Sequence, residues 1–310
     1  MGEITQRAVI DIGSNTIRLL VARMGGDSMT TVLDMSQFVR LGFGVESTGE
    51  LNSEREEAGI EAIKKLVGRA SEVGSDRVTA FATSAIRDAS NGPDFARRIE
   101  QETGVEVEII SGLREAQLTA RGATLGLAIS GETVIADLGG GSIEIIGLKA
   151  GNGGWARSLR LGSGKMTDRF VVRDPPGSAA IRSVALYVQK DLQELPPIDA
   201  QNVIFTGGTA THMARLAGQN GVSVRLERDA LIEVLETVTT TPAEEVAARY
   251  HIRKERAEIL PAGIATLVSL ATFYGVSHVM VTRRGVREGA LLERADREAA
   301  GEPEGGPDSN

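Results

Sequence analysis

The sequence predicts an α/β protein of two related domains, and three observations carry that prediction. Short apolar strands alternate with longer amphipathic helices, the order in which helices cover a sheet. A chain of 310 residues fits about two domains. One strand–turn–strand segment also occurs twice, first as Val9-Ile10-Asp11-Ile12-Gly13-Ser14-Asn15-Thr16-Ile17-Arg18-Leu19-Leu20. It returns as Ile135-Ala136-Asp137-Leu138-Gly139-Gly140-Gly141-Ser142-Ile143-Glu144-Ile145-Ile146. In both copies an apolar strand ends in Asp, Gly follows at +2, Ser or Thr at +5, Ile at +6 and a charge at +7. Such repetition indicates related units.

The elements follow in order. Ala8–Asp11, Thr16–Met24 and Met29–Asp34 read as strands, the last two joined through Gly25-Gly26-Asp27-Ser28. Ser53-Glu54-Arg55-Glu56 has the capping-box pattern and opens a helix whose apolar residues, Ile60 to Val73, recur at helical spacing. Val78–Ala82 reads as a strand, Asp94–Thr103 as a helix stopped by Gly104, Val105–Ile110 as a strand and Glu115–Leu125 as a helix. The pattern then restarts with strands at Val134–Asp137, Ile143–Leu148 and Ala156–Leu161, a helix at Ala179–Leu192 and a strand at Val203–Phe205. Helices run through Ala210–Ala217, Ala230–Thr237, Ala243–Tyr250 and Arg256–Tyr274, before a strand at His278–Val281 and a last helix from Gly285. This divides the chain into domains 1–122 and 123–284, with a helix at 285–297 returning to the first and a disordered tail at 298–310.

Composition removes several function classes. The 34 basic and 42 acidic residues give a net charge of −8, against a general nucleic-acid binder. Half of that excess lies in the Gly-, Pro- and acid-rich segment Asp296–Asn310. The chain has no cysteine, which excludes disulfides, thiolate metal sites and cysteine nucleophiles. Ile259–Ser277 is uncharged, but its Pro, Gly and hydroxyl residues fit a buried core helix running into a strand better than a membrane span. The N-terminus does not read as a signal peptide, so a cytoplasmic protein with no membrane partner is expected.

The repeated turn fits phosphate chemistry. Glycine lets backbone approach a ligand closely, and successive backbone N–H groups form anion-binding nests. Ser14, Thr16 and Ser142 add hydroxyl donors, while Asp11 and Asp137 suit Mg²⁺, which takes one or two carboxylates with water and phosphate oxygens. A third turn, Phe205-Thr206-Gly207-Gly208-Thr209, opens a helix, whose N-terminus favours anions. His212, His251 and His278 lack metal-ligand spacing. Neither a Gly-x-x-x-x-Gly-Lys-Ser/Thr loop nor a dinucleotide fingerprint occurs.

Four motifs fall in order: Asp11-Ile12-Gly13-Ser14-Asn15-Thr16-Ile17-Arg18, Ala82-Thr83-Ser84-Ala85-Ile86-Arg87, Ile109-Ile110-Ser111-Gly112-Leu113-Arg114-Glu115-Ala116 and Asp137-Leu138-Gly139-Gly140-Gly141-Ser142-Ile143-Glu144. With Gly207-Gly208-Thr209 and Gly285-Val286-Arg287-Glu288-Gly289, the set resembles the exopolyphosphatase/guanosine pentaphosphate phosphatase family, in the acetate and sugar kinase/heat-shock chaperone/actin superfamily. The resemblance implies two ribonuclease-H-like, actin-like domains flanking a phosphate cleft. It implies Glu115 as catalytic base, Glu144 as second carboxylate and Arg87 facing the phosphate. Asp137, with Asp11, would hold Mg²⁺ or Mn²⁺. Phosphate contacts would come from Ser14, Asn15, Thr16, Arg18, Gly139, Gly140, Gly141, Ser142, Gly207, Gly208 and Thr209.

The implied activity is release of terminal orthophosphate from inorganic polyphosphate, with guanosine pentaphosphate as the alternative substrate and a homodimer left open. A sugar-kinase-like phosphotransferase lacks an acceptor motif here, and a non-catalytic sensor does not need both Glu115 and Glu144. Two departures stand out. Arg114 occupies a position where members often carry a second Glu, and Thr282-Arg283-Arg284 replaces a usual Ser-Asp start. Lys165, Arg283 and Arg284 are candidates for a polyanion path, weighed against solvated surface.

Overall fold

Two sheets are built on the same plan. The computed structural model describes residues 5–25, 28–75, 77–149 and 154–300. In the first sheet, strands β1 (Thr5–Ile12), β2 (Thr16–Gly25) and β3 (Ser28–Phe38) form an antiparallel meander. Short α1 (Val45–Thr48), then α2 (Ser53–Glu72), lead to β4 (Val78–Ala82); α3 (Ser84–Asp88) and α4 (Gly92–Thr103) lead to β5 (Val107–Ile109). Both later strands run parallel, giving the order β3-β2-β1-β4-β5. Helix α5 (Gly112–Ala123) follows.

The second sheet repeats this. Its meander is β6 (Thr133–Leu138), β7 (Ile143–Leu148) and β8 (Gly154–Leu159), then α6 (Ser163–Phe170) and α7 (Gly177–Leu192) lead to parallel β9 (Asn202–Thr206). Next come α8 (Gly207–Leu216), β10 (Ser223–Glu227), α9 (Arg228–Thr240), α10 (Ala243–Tyr250), α11 (Lys254–Phe273), β11 (His278–Thr282) and α12 (Val286–Ala299). The order is β10-β11-β9-β6-β7-β8, the first plan with one antiparallel strand added at the edge.

Strand alternation sorts side chains between the two faces. Ala8, Ile10 and Ile12 of β1 join Ile60 and Ile63 of α2 and Phe95 of α4 in one core, whereas Val9 packs on the other face with Leu118 of α5 and Leu291 of α12. In β6, Val134, Ala136 and Leu138 join the α6–α11 core, and Ile135 faces Ala116 and Ala123 of α5. Helices α5 and α12 therefore lie between the sheets, and Asp11 and Asp137 share the strand parity of Val9 and Ile135, on this inner side. At the α5–α12 crossing a side chain on Gly122 would strike the Gly285 carbonyl, and one on Gly289 the Leu118 carbonyl. The two backbones touch directly there.

Several expectations shift. The α2 cap is Asn52, not Ser53, because the Asn52 carboxamide accepts from the amides of both Glu54 and Arg55. Strand β10 and helices α1, α3 and α6 are additional to the elements read from the sequence. The uncharged segment from Ile259 lies mostly in α11, the one helix among the described residues apolar and long enough for a membrane, and it is a buried core helix. The last helix continues to Ala299. Gly26 and Asp27 of the expected hairpin turn, and 301–310 of the expected tail, lie outside the described residues.

Candidate active site

The two Asp-Gly turns face each other across a cleft of about 340 Å³. They close alike: the Gly13 amide donates to the Thr16 carbonyl at 3.2 Å, and Gly139 to Ser142 at 3.0 Å. The Gly139 amide is thus committed within its turn. The glycines that follow are needed for close approach, since a Cβ on Gly140 would lie 2.5 Å from Asn15 Nδ2, and one on Gly141 would meet Ser84 and Ser14. Asn15 Nδ2 itself is buried without a hydrogen-bond partner. Ser14 and Ser84 hydroxyls bond at 2.8 Å. Gly207, at φ 91°, needs glycine's left-handed freedom, and a Cβ there would come 2.6 Å from Asp137 Oδ1.

Strand register places the charges. Asp11 pairs across β1–β2 with Arg18, and Asp137 across β6–β7 with Glu144. Asp137 accepts from Thr119 Oγ1 at 3.3 Å, and Glu144 from Ser158 Oγ at 2.7 Å. Glu115 enters in the first turn of α5, whose cap is the Ser111 side chain accepting from the Arg114 amide. Arg87, in the last turn of α3, donates to Glu115 Oε2 and to the Ile110 carbonyl, each at 3.1 Å.

These acids are buried together, which raises the cost of ionising them. Burial pushes Asp137 up to about 6, with Arg18 opposing and Asp11 adding. Glu144 is pushed up to about 7, again chiefly by burial, with the Ser158 hydrogen bond opposing. Burial and Glu144 hold Glu115 well above the usual carboxylate range, against the pull of Arg87. Asp11 is raised by burial too. Among the described residues neither Asp11 nor Asp137 has an ion-pair partner, and no cluster of three or more His, Cys, Asp or Glu forms a closed metal cage.

The cleft brings together Asp11, Ser14, Asn15, Thr16, Arg18, Glu115, Asp137, Gly139, Gly140, Ser142, Glu144, Gly207 and Gly208. Other expected residues sit differently. Arg87 reaches Glu115 from behind the cleft, and Gly141 lines a smaller hollow on the far side of the turns. The Thr209 side chain packs against Gly263 of α11, away from the cleft, because α8 turns that face into the core. Lys165 is held by Asp88 at 3.0 Å, Arg284 donates to the Leu125 carbonyl just beyond α5, and Arg283 lines the cleft. Arg114 forks onto Glu293 of α12, outside the cleft, at 2.8 Å for one of its two bonds.

Sequence reasoning missed Arg256 and His212. Arg256 is buried, donates to Thr16 Oγ1 at 2.9 Å and lies over the Phe38 ring. Burial, with Arg18 nearby, brings it down to about 9. His212 Nδ1 lies 2.6 Å from the Gly208 carbonyl, and burial and Arg256 bring it down to about 4. Arg256 sits in a charged run, Arg253 to Glu258, that reads as a solvated helix end.

Two lobes of this plan, with paired acid-bearing turns at their junction, define an actin-like phosphate-handling protein. The chain matches the Ppx/GppA phosphatase family model over residues 20–298, and it belongs to that family. It is 29% identical to exopolyphosphatase 1 of Mycobacterium tuberculosis, covering 94% of this chain and 89% of that protein. A crystal structure of the Aquifex aeolicus Ppx/GppA family member superposes with a TM-score of 0.79 at 28% identity, covering 96% of this chain and 99% of the other. An exopolyphosphatase-like protein superposes with a TM-score of 0.88 at 27% identity, covering 96% of this chain and all, 100%, of the other. Membership makes this chain a phosphoanhydride hydrolase.

Proposed function

We propose that the protein is an exopolyphosphatase, releasing terminal orthophosphate from inorganic polyphosphate in the cytoplasm. The observation that carries this is the burial of Glu115 and Glu144 between the two turns, beside Asp11 and Asp137. The likeness to exopolyphosphatase 1 supports the substrate. We assign residues 1–122 with 285–297, and 123–284, as the two functional domains.

Asp11 and Asp137 fit a divalent cation, because they are buried carboxylates with no cationic ion-pair partner among the described residues. Mg²⁺ or Mn²⁺ bound there would neutralise phosphate oxygens as charge develops. The chain's own residues do the rest. Ser14 and Thr16 hydroxyls, the uncommitted Gly140 amide, and the α8 start at Gly207-Gly208 bind the terminal phosphates. Arg18 and Arg256 offset charge along them. Glu115 orients the attacking water and takes its proton as the new P–O bond forms and the bridging P–O bond breaks. Its raised proton affinity brings it closer to the working pH, where general bases act best. Glu144, steadied by Ser158, holds the water from the second lobe.

The test is phosphate release from short polyphosphate, long polyphosphate and guanosine pentaphosphate at matched concentrations, with and without Mg²⁺. Polyphosphate should be the better substrate, and Glu115→Gln should lower kcat by about 10²- to 10⁴-fold. Faster turnover of guanosine pentaphosphate would transfer the assignment to that substrate. Release by wild type no greater than by Glu115→Gln would remove the hydrolytic role of this site.

A further inference from the structure

Asp88 belongs to no motif that assigns it a role, yet it joins the two lobes directly behind the catalytic pair. Its carboxylate accepts from Lys165 Nζ and from Arg160, each at 3.0 Å. Both cations come from the second lobe, Lys165 on α6 and Arg160 on the segment leading into it. On its other side Asp88 Oδ1 lies 3.8 Å from Arg87 Nε. Arg87 in turn holds Glu115 through its opposite end. The pairing is partly shielded, with the Asp88 side chain 17% exposed and that of Lys165 12%.

Helix α6 ties this pairing to the second glycine turn. Its first amides, Ser163 and Gly164, donate to the carbonyls of Gly139 and Gly140 at 2.9 and 2.8 Å, and Lys165 to Gly140 at 3.2 Å. An unbroken path of polar contacts thus runs from the glycine turn through α6, Lys165, Asp88 and Arg87 to Glu115. Glu46 also faces Lys165, at 3.6 Å. Glu115 itself is faced by Glu144 and Asp137 from the second sheet and by Arg87 from α3.

We propose that Asp88 is a positioning residue, which sets the angle of Arg87, and through it of Glu115, only when the second lobe's Lys165 and Arg160 are docked. The inference rests on the catalytic reading of Glu115. It makes closure of the lobes the event that aligns the base. Without Asp88, Arg87 keeps only its Nη1 bonds to Glu115 and the Ile110 carbonyl, so the Nε side of the guanidinium is free to tilt, and misplacement of about 1 Å at a reacting group can cost about 10²-fold.

The test is Asp88→Asn, assayed for phosphate release from polyphosphate with Mg²⁺ across pH. We expect kcat to fall by about 10- to 100-fold with KM little changed. The sign of the pH shift separates the explanations. Simple removal of a negative charge would ease ionisation of Glu115 and move the acidic limb of kcat/KM down. Loss of the Arg87 grip does the reverse and moves that limb up, by about 1 unit. Asp88→Glu should recover most of kcat, and Lys165→Gln should shift the limb in the same direction, with effects that do not add to those of Asp88→Asn. Thermal melts of each variant report whether the fold is retained. A limb that stays or moves down, full kcat in a folded Asp88→Asn, or independent addition with Lys165→Gln would overturn the proposal. Full activity in Glu115→Gln would instead overturn the catalytic reading beneath it.

Discussion

The two Asp-Gly turns share one backbone solution and differ in charge. Each closes with a Gly amide on a carbonyl three residues later, and each sets Asp opposite a charged residue in the strand register. In the first lobe that residue is Arg18, which offsets Asp11; in the second it is Glu144, whose proton affinity Asp137 raises further. The first turn also carries side chains, Ser14 and Asn15, where the second has bare glycine. Between the turns themselves, the first carries hydroxyl and amide side chains and a cation, and the second an extra acid and room. A duplicated frame thus became a single site through a few positions on its inner face.

The sharpest way to break this contrast is to neutralise the acid of the second turn. Glu144→Gln should lower kcat for phosphate release by about 10²-fold or more. The same variant reports on stability. Glu144 is raised from 4.5 to about 7 in the fold. Its contribution is therefore fully present below pH 4.5 and lost as pH rises through about 7. Without divalent cation, Glu144→Gln should melt above wild type at pH 8 and level with it near pH 4.5. Melts in which wild type is the more stable at pH 8 would refute that burial cost.

A second, smaller effect concerns glycine. Gly140→Ala places a methyl 2.5 Å from Asn15 Nδ2 and should cost about 1–3 kcal/mol by denaturant melt. In Gly139→Ala the nearest atom is the Ser142 carbonyl oxygen at 3.3 Å, and the change should stay within about 1 kcal/mol. Equal costs would mean that the lobes do not press together at Gly140. The smallest effect is expected for Arg18→Gln. Losing one of the two cations along the phosphates should raise KM for polyphosphate, and more at low salt than at high salt.

Much of this was legible in the sequence because the turns are local. Strand, Asp, glycine and hydroxyl follow one another within a dozen residues, so spacing alone assembles them. Alternation explains why Asp11 and Asp137 point inward, since each shares strand parity with inner-face Val9 or Ile135. Arg256 was not legible because it reaches Thr16 from 240 residues away. No local pattern distinguishes it from the other charges at the start of α11. Asp88 escaped for the same reason, as its partners come from the second lobe. Thr209 was misplaced because the turn that opens α8 does not tell which side of the helix will face the core.

The crossing of α5 and α12 has a consequence for biosynthesis. Val9, Leu20, Ala22 and Phe81 form one face of the first sheet, and part of what covers them is Val286 and Leu291 of α12. Translation delivers these partners some two hundred residues after Phe81. Until then the ribosome-tethered first half exposes an oily strip, on which chaperones can act. The half of the molecule that is made first is the half that is finished last.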